Sequence, residues 1–132
     1  MPKRAPTLRS QAAYEKWSAH YLPVARNPLM HAEETAMLGL MPPLDGKTIL
    51  DLACGSGRYT RHAFERGAAH VIGIDNSRHM IAVGQREGVP ASFTAGEMTA
   101  IPLREKTIDV ILCGLAIGHI RDIQTALSEM AR

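Results

Sequence analysis

The sequence has few aromatic residues and no long apolar run. Only 5% of its 132 residues are Phe, Trp or Tyr. A membrane-spanning helix needs about 18 or more consecutive apolar residues, and no such stretch occurs. The amino-terminal segment also lacks the apolar core of a secretion signal. We therefore predict a protein that neither spans a membrane nor is exported, with the 45% apolar and 21% charged content of one globular domain.

Charge of one sign is also scarce. The formal net charge is +2, and Lys3, Arg4 and Arg9 lie in the first ten residues with no acidic residue among them. Setting these three aside leaves 12 of the 15 basic residues against 13 acidic ones. Nucleic-acid binding requires a clear basic excess on the folded body. The sequence therefore predicts that nucleic acid is not a partner.

Cysteine is limited to two residues, Cys54 and Cys113. Both lie in apolar, strand-like runs, and neither belongs to a Cys-x-x-Cys or Cys/His pattern with the spacing of a zinc site. We expect reduced thiols, no disulfide and no metal centre, which is typical of a cytoplasmic protein.

The first part of the chain, residues 1–45, is predicted to be a helical preface behind a disordered tail over residues 1–9. A helix begins near Ser10 and ends at Pro23, and its large apolar residues recur on one face: Tyr14, Trp17 and Tyr21. A second helix follows the capping residue Asn27 and continues to Met41. These aromatic residues either cover a ligand site or form an ordinary apolar helix face.

After Gly46 the pattern changes to strands that alternate with helices. Because strands separated by helices form right-handed crossovers, they predict a parallel sheet. We expect an α/β fold over residues 46–132, the first half of a Rossmann-like three-layer α/β/α arrangement. Its four predicted strands are 48–53, 70–74, 91–94 and 108–115, and its predicted helices are 58–66, 77–87 and one that begins at Asp122.

A glycine loop follows the first predicted strand, with the sequence Asp-Leu-Ala-Cys-Gly-Ser-Gly at residues 51–57. Gly55 and Gly57 allow the backbone to turn tightly and to approach a ligand closely. Asp75 comes directly after the second strand, where a carboxylate can reach both hydroxyls of a ribose. The alternative is that Asp75 only caps the turn before Ser77.

Two residues favour one nucleotide-like ligand over another. Dinucleotide-binding loops place a glycine or alanine where this chain has Thr60. The negative charge of Asp51 would repel a pyrophosphate, whereas it suits a cation that carries an amino group and a sulfonium. These features favour S-adenosylmethionine over NAD.

Four segments in order resemble the motifs of class I S-adenosylmethionine-dependent methyltransferases, and most closely those of the type 11 small-molecule subgroup. Residues 49–57 are similar to the first motif, and residues 71–81 to the second, ribose-binding motif. Residues 96–103 resemble the adenine loop, although Glu97 replaces the more usual aspartate. Residues 109–122 resemble the motif around the fourth strand. The resemblance covers residues 47–132 and implies a methyltransferase acting on a small-molecule acceptor.

The resemblance also implies site residues. It places these residues at the cofactor: Asp51, Gly55, Gly57, Asp75, Asn76, Glu97, Met98, Cys113 and Tyr21. His119 is a weak candidate for a general base, and a structural histidine is the alternative interpretation. Asp109 is expected to cap the start of the fourth strand.

Members of this family normally continue with three more strands, whereas this chain stops in the helix after the fourth. The sequence therefore predicts a carboxy-terminally incomplete fold whose fourth strand forms an open edge. Such an edge predicts self-association or a companion chain. Two other functions stay open, namely a non-catalytic S-adenosylmethionine-binding module and a nicotinamide-dependent oxidoreductase.

Overall fold

The computed structural model describes residues 10–132 and shows an α/β fold. The predicted disordered tail over residues 1–9 lies outside the described residues. After the preface, the strands and helices follow in the predicted order, and a loop without a helix joins the third strand to the fourth. Their bounds are α1 Ser10–Trp17, α2 Pro28–Leu40, β1 Thr48–Leu52, α3 Arg58–Glu65, β2 His70–Asp75, α4 Arg78–Arg86, β3 Ser92–Ala95, β4 Val110–Leu112 and α5 Ile123–Ala131.

The four strands form one parallel sheet in the order β3-β2-β1-β4, which confirms the predicted Rossmann-like topology. In the β1–β2 pair, Leu52 lies opposite Ile74, so the carboxyl ends of both strands reach the same edge. Ligands of open parallel sheets bind at this edge, where the strand order reverses. The order reverses at β1: the chain goes from β1 to β2 and β3 on one side, and β4 then pairs with β1 on the other side.

Alternate residues of β1 face two apolar clusters, because successive side chains of a strand point to opposite faces. Ile49 packs with Tyr59 and Ala63 of α3 on one face. Leu50 and its neighbours pack with Met130 of α5 on the other. The sheet therefore lies between two helical layers, as predicted.

The Phe93 ring fills a space that three glycines leave open on the α3 side of the sheet. A Cβ added at Gly73 would lie 2.8 Å from Phe93 Cδ1, and one at Gly84 would lie 3.0 Å from Cζ. At Gly57 the same added atom would lie 3.2 Å from Cζ. The absence of these three side chains allows α3, α4 and the sheet to close around one ring.

The preface differs from its prediction in one respect. Helix α1 ends at Trp17 and a short 3₁₀ helix, Ser18–His20, follows, so Tyr21 lies beyond the helix. The Ser18 hydroxyl donates to the Glu15 carbonyl oxygen, and such a side-chain bond competes with helix continuation. The predicted cap of α2 is confirmed, since Asn27 Oδ1 accepts from the Met30 N–H at 2.9 Å.

Strand β4 is shorter than the predicted 108–115 and lies at the edge of the sheet. Before it, the Asp109 carboxylate accepts from the Thr48 N–H at 2.8 Å, so it caps the start of β1 and not, as predicted, the start of the fourth strand. After it, Leu115 has φ +53°, a left-handed conformation that no strand can contain. The chain therefore leaves the sheet three residues earlier than its apolar character indicated.

Helix length also bears on membrane insertion. None of the helices within residues 10–132 combines the length and the apolar character needed to cross a bilayer.

Candidate functional site

A cavity of about 210 Å³ lies at the carboxyl ends of β1 and β2. The glycine loop forms its floor, and residues of the preface and of the segment after β4 form its walls. Several residues that lie far apart in the sequence meet there, among them Asp51, Gly55, Asp75, Glu97 and His119.

Backbone conformation opens the floor of the cavity at Gly55. Its φ is +56°, and a Cβ there would have Met80 Cε, at 3.4 Å, as its nearest neighbour. Ala53, two residues earlier, takes φ +58° even though it carries a Cβ. A left-handed conformation costs a non-glycine residue about 1–2 kcal/mol, so this loop holds strain at the cavity wall.

The Asp75 carboxylate fixes the loop from the neighbouring strand. Its Oδ2 accepts from the Gly55 N–H and its Oδ1 from the Ser77 N–H, both at 2.8 Å. The second bond is the turn cap that the sequence left open as an alternative, and the first joins the carboxylate to the glycine loop. Burial raises the pKa of Asp75, against these two backbone bonds, which lower it. Each oxygen keeps a lone pair for a further donor.

Asp51 is almost fully buried beneath the same cavity, with 1% of its surface exposed. Burial raises its pKa to about 7, although the Thr60 hydroxyl donates to Asp51 Oδ2 at 2.7 Å and opposes that shift. The nearby Asp75 charge raises it further. Thr60 therefore supports Asp51 directly, and the two residues that distinguished this loop from a dinucleotide loop form one unit.

Most of the predicted cofactor residues line the cavity, and two do not. Asn76, Glu97, Met98 and Tyr21 are in its wall together with Asp51, Gly55 and Asp75. Gly57 and Cys113 lie outside the lining.

Those two positions have structural surroundings instead. Gly57 precedes α3 with φ +91°, and a Cβ there would lie 3.0 Å from Val89 Cγ1. Its left-handed conformation and close packing give it a structural reason to be glycine, and its contact with the cofactor stays a prediction. The Cys113 Sγ faces Met98 Sδ at 3.9 Å. Cys113 therefore touches a cavity residue without reaching the cavity.

An aromatic cluster from the preface covers one side of the cavity. The Tyr14 ring lies edge-on to Tyr21 at 6.4 Å and to His119 at 6.0 Å between ring centroids. Burial, then the hydroxyl of Tyr21 and the charge of Asp75, raise the pKa of Tyr14. Tyr14 thus lies at the centre of the wall for which sequence reasoning chose Tyr21, and its place on the same predicted helix face as Tyr21 was the available signal.

Two further wall residues, Met30 and Arg58, were missed by sequence reasoning. Arg58 directly follows the glycine loop, and this position was the signal available in the sequence. Among residues 10–132, no cluster of His, Cys, Asp or Glu has the arrangement of a metal site.

The fold and this site define a class of protein, and comparison with known families agrees with it. A family model described as "Methyltransferase domain" matches residues 49–132. The chain belongs to this family, the class I S-adenosylmethionine-dependent methyltransferases, whose cofactor is S-adenosylmethionine. The type 11 subgroup stays a prediction.

Individual relatives support the same class. A demethylmenaquinone methyltransferase from Streptomyces avermitilis is 34% identical over 64% of this chain and 36% of its own length. A malonyl-[acyl-carrier protein] O-methyltransferase from Pectobacterium atrosepticum is 27% identical over 73% of this chain and 38% of its own. The crystal structure of an S-adenosylmethionine-dependent methyltransferase from Mesorhizobium loti matches with a TM-score of 0.71 at 27% identity. That match covers 76% of this chain and 47% of the solved one, so the chain spans less than half of these relatives.

The residues of the site fit the cofactor. A cation needs a carboxylate beneath it, a ribose needs an acceptor for two hydroxyls, and an adenine needs a flat apolar neighbour with a polar edge. Asp51, Asp75, Glu97 and Met98 line the cavity around the open floor at Gly55, and their carboxylates and thioether are groups of the kinds that these parts of the cofactor need.

Proposed function

We propose that this chain binds S-adenosylmethionine over Gly55 and forms the donor side of a methyltransferase that acts on a small-molecule acceptor. The observation that carries the proposal is the Asp75 carboxylate, which is bonded to the Gly55 N–H inside the cavity. It joins a ribose-binding group and the glycine loop in one rigid unit.

Each cavity residue would contact a different part of the cofactor. Asp75 accepts from the ribose hydroxyls, and Asp51 balances the charge of the amino group. Glu97 accepts from the adenine amino group while Met98 packs beside the ring. When bound, the cofactor supplies a methyl group on a positively charged sulfur that a nucleophile can displace. The protein then has to align the two partners and exclude water, which are large effects in reactions of this kind.

The acceptor side is formed by the segment after β4 together with the preface. Tyr14, Leu115, His119 and Ile120 line this part of the cavity. The relatives named above act on demethylmenaquinone and on malonyl-acyl-carrier protein, so a small acceptor or a carrier-bound one is consistent with the family. We propose His119 as the residue closest in chemistry to a general base, because its imidazole faces the cavity.

The test of this proposal has two readouts. Calorimetric titration with S-adenosylmethionine and with S-adenosylhomocysteine measures binding, and a radiolabel assay with phenols, quinols and carboxylic acids measures transfer. We expect both ligands to bind. His119→Gln should leave binding unchanged and slow the transfer. Failure of both ligands to bind would overturn the proposal.

A second candidate function is a non-catalytic S-adenosylmethionine-binding module that pairs through β4. The position of β4 at the sheet edge and the half-exposed Leu115 and Ile117 beside it favour this candidate. Binding without transfer to any acceptor would support it. Sedimentation tests the pairing, since a concentration-independent monomer would contradict self-association at this edge.

We also propose a cytoplasmic location. Both cysteines are free thiols. This supports a protein that works in a reducing compartment.

A further inference from the structure

Arg58 joins the glycine loop to the preface. It is the first residue of α3, and its guanidinium reaches across to α2. Nη2 donates to Glu33 Oε2 at 2.8 Å, and Nη1 donates to Glu34 Oε2 at 2.9 Å. Nη1 also lies 3.3 Å from the Met30 carbonyl oxygen. One side chain thus holds two carboxylates and one backbone carbonyl of the same helix.

Neighbouring residues of α3 extend this contact. His62 Nε2 lies 2.9 Å from Glu34 Oε1, and the Arg58 guanidinium carbon lies 4.5 Å from the centre of the Tyr59 ring. The Tyr59 hydroxyl is buried without a hydrogen-bond partner among the described residues, and so is Glu33 Oε1. The nearby Glu33 carboxylate adds to burial in raising the pKa of Tyr59. Glu33 is therefore tied to Arg58 through one oxygen and faces Tyr59 with the other.

These ion pairs are shielded from water. The Arg58 side chain is 12% exposed, and those of Glu33 and Glu34 are 17% and 19% exposed. Hydrogen bonds between a guanidinium and carboxylates are among the strong ones in proteins, and partial burial reduces their screening by solvent and salt. Two pairs on one guanidinium also fix the direction of the side chain.

Residues on both sides of the contact between Arg58 and α2 line the cavity. Met30, whose carbonyl faces Arg58, is buried and lines the cavity, and Arg58 lines it as well. Apart from Met30, the apolar contacts of α2 with the sheet core come from Met37 and Met41 near its other end. The polar link therefore acts together with the buried Met30 side chain in holding the beginning of α2 against the glycine loop.

We propose that Arg58 is a positioning residue that couples the docking of α2 to the binding of the methyl donor. The proposal rests on the proposed function, since it concerns the same cofactor site. A docked α2 places Met30 in the cavity wall, and a bound donor stabilises the loop from which Arg58 projects. Coupling of this kind is reciprocal, so the donor must also stabilise docked α2.

The experiment compares Arg58→Gln with Arg61→Gln. Arg61 lies about one turn further along the same helix and outside the cavity lining. Its replacement removes the same charge from α3 without changing the cavity wall. We expect Arg58→Gln to weaken S-adenosylhomocysteine binding by about tenfold, within the usual range of coupling between sites. Arg61→Gln should leave the affinity unchanged, and Arg58→Lys should restore part of it.

Hydrogen exchange gives a readout that loss of a merely structural residue would not move. In the wild type, S-adenosylhomocysteine should slow amide exchange over residues 28–40, and this slowing should vanish in Arg58→Gln. A Glu33→Gln/Glu34→Gln variant should lose affinity to a similar extent, and adding Arg58→Gln to it should cause little further loss.

The outcomes separate the two proposals. If the wild type binds the ligand and Arg58→Gln binds equally well with normal protection of α2, the coupling is overturned and the proposed function stands. If the wild type does not bind, both are overturned. If Arg58→Gln fails to fold by circular dichroism, the comparison is made with Arg58→Lys and the double glutamate variant, where unchanged affinity in both overturns the coupling.

Discussion

The two sides of the cavity are built differently. On the β1–β2 side, Asp75 bonds two backbone N–H groups, and Asp51 bonds the Thr60 hydroxyl. On the β4 side, Leu115 and Ile117 are half exposed, and His119 contacts the Tyr14 ring. A site fixed by its own hydrogen bonds is prepared for one ligand, whereas exposed apolar side chains can adapt to several. The proposed donor side is thus preorganised, and the proposed acceptor side is open to variation.

The largest effect is expected on the preorganised side, from Asp75→Ala. The change removes the acceptor for the ribose hydroxyls and releases the Gly55 and Ser77 N–H groups. Hydrogen bonds to a charged group contribute about 1.5–3 kcal/mol each, so S-adenosylhomocysteine affinity should fall about a hundredfold. Calorimetric titration measures this loss.

Asp109→Ala is the matched control for this change. Its carboxylate also accepts a backbone N–H, that of Thr48, but at the opposite end of the sheet. This variant should lose stability and keep its affinity for the ligand. Equal affinity losses in both variants would show that the two ends of the sheet do not differ as described.

The next effect concerns the pH dependence of donor binding. In the free protein the pKa of Asp51 is about 7, and a bound cation lowers it, so binding at pH 6 should release a proton. The affinity for S-adenosylmethionine should therefore rise about tenfold from pH 6 to pH 8. Titration in buffers of different ionisation enthalpy counts the protons. In Asp51→Asn the proton release should disappear.

The sign for stability without ligand is the opposite. The pKa of Asp51 in the folded protein lies above its ordinary value of 3.8, so the folded state binds more protons between these values. The contribution of Asp51 to the free energy of unfolding should therefore decrease as pH rises from about 4 to about 7. Urea unfolding of the wild type against Asp51→Asn checks this slope.

A third effect separates packing from binding within the glycine loop. Gly57→Ala forces a side chain into a left-handed conformation, 3.0 Å from Val89 Cγ1. We expect a loss of about 1–2 kcal/mol in the free energy of unfolding, with ligand affinity retained. Gly39→Ala is the control, because an added Cβ there meets nothing within 4 Å and should favour α2. A large affinity loss in Gly57→Ala would return this residue to the ligand site.

The smallest effect should come from the strained residues on the two sides. Ala53→Gly relieves a left-handed conformation but makes the unfolded chain more flexible, so stability should rise by about 0.5 kcal/mol or less. Leu115→Gly makes the same change on the acceptor side, where φ is +53°. Because the β1–β2 side is the preorganised one, Ala53→Gly should also weaken donor binding slightly, whereas Leu115→Gly on the β4 side should leave it unaltered.

Much of the fold followed from local pattern in the sequence. The alternation of strands and helices, the Asn27 cap and the parallel order were predictable because periodicity and capping are properties of short segments. The bounds of β4 were not, since the apolar run continues through Leu115 while its backbone conformation does not. Tyr21 was assigned to a helix that the Ser18 bond helps to end.

Site prediction reached the residues whose role depends on their place after a strand. Asp51, Gly55 and Asp75 belong to this group, and all three line the cavity. The packing around Gly57 and the role of Arg58 in the cavity wall were missed, because their surroundings come from distant segments: Val89 and Phe93 for one, Glu33 and Glu34 for the other. A single sequence contains no record of such long-range neighbours.

The space around the Phe93 ring that three glycines leave open has a consequence for which substitutions this sequence can accept. Three glycines that lie far apart in the chain surround this one ring, namely Gly57, Gly73 and Gly84. At Gly73 the atoms nearest to an added Cβ belong to Phe93, so a larger residue there requires a smaller residue 93. At Gly84 the Ser56 carbonyl oxygen, 2.7 Å away, opposes a side chain as well, and at Gly57 Val89 Cγ1 does so at 3.0 Å. Among homologous chains positions 73 and 93 should therefore vary together, and in directed evolution a second-site suppressor of a substitution at Gly73 should arise at Phe93.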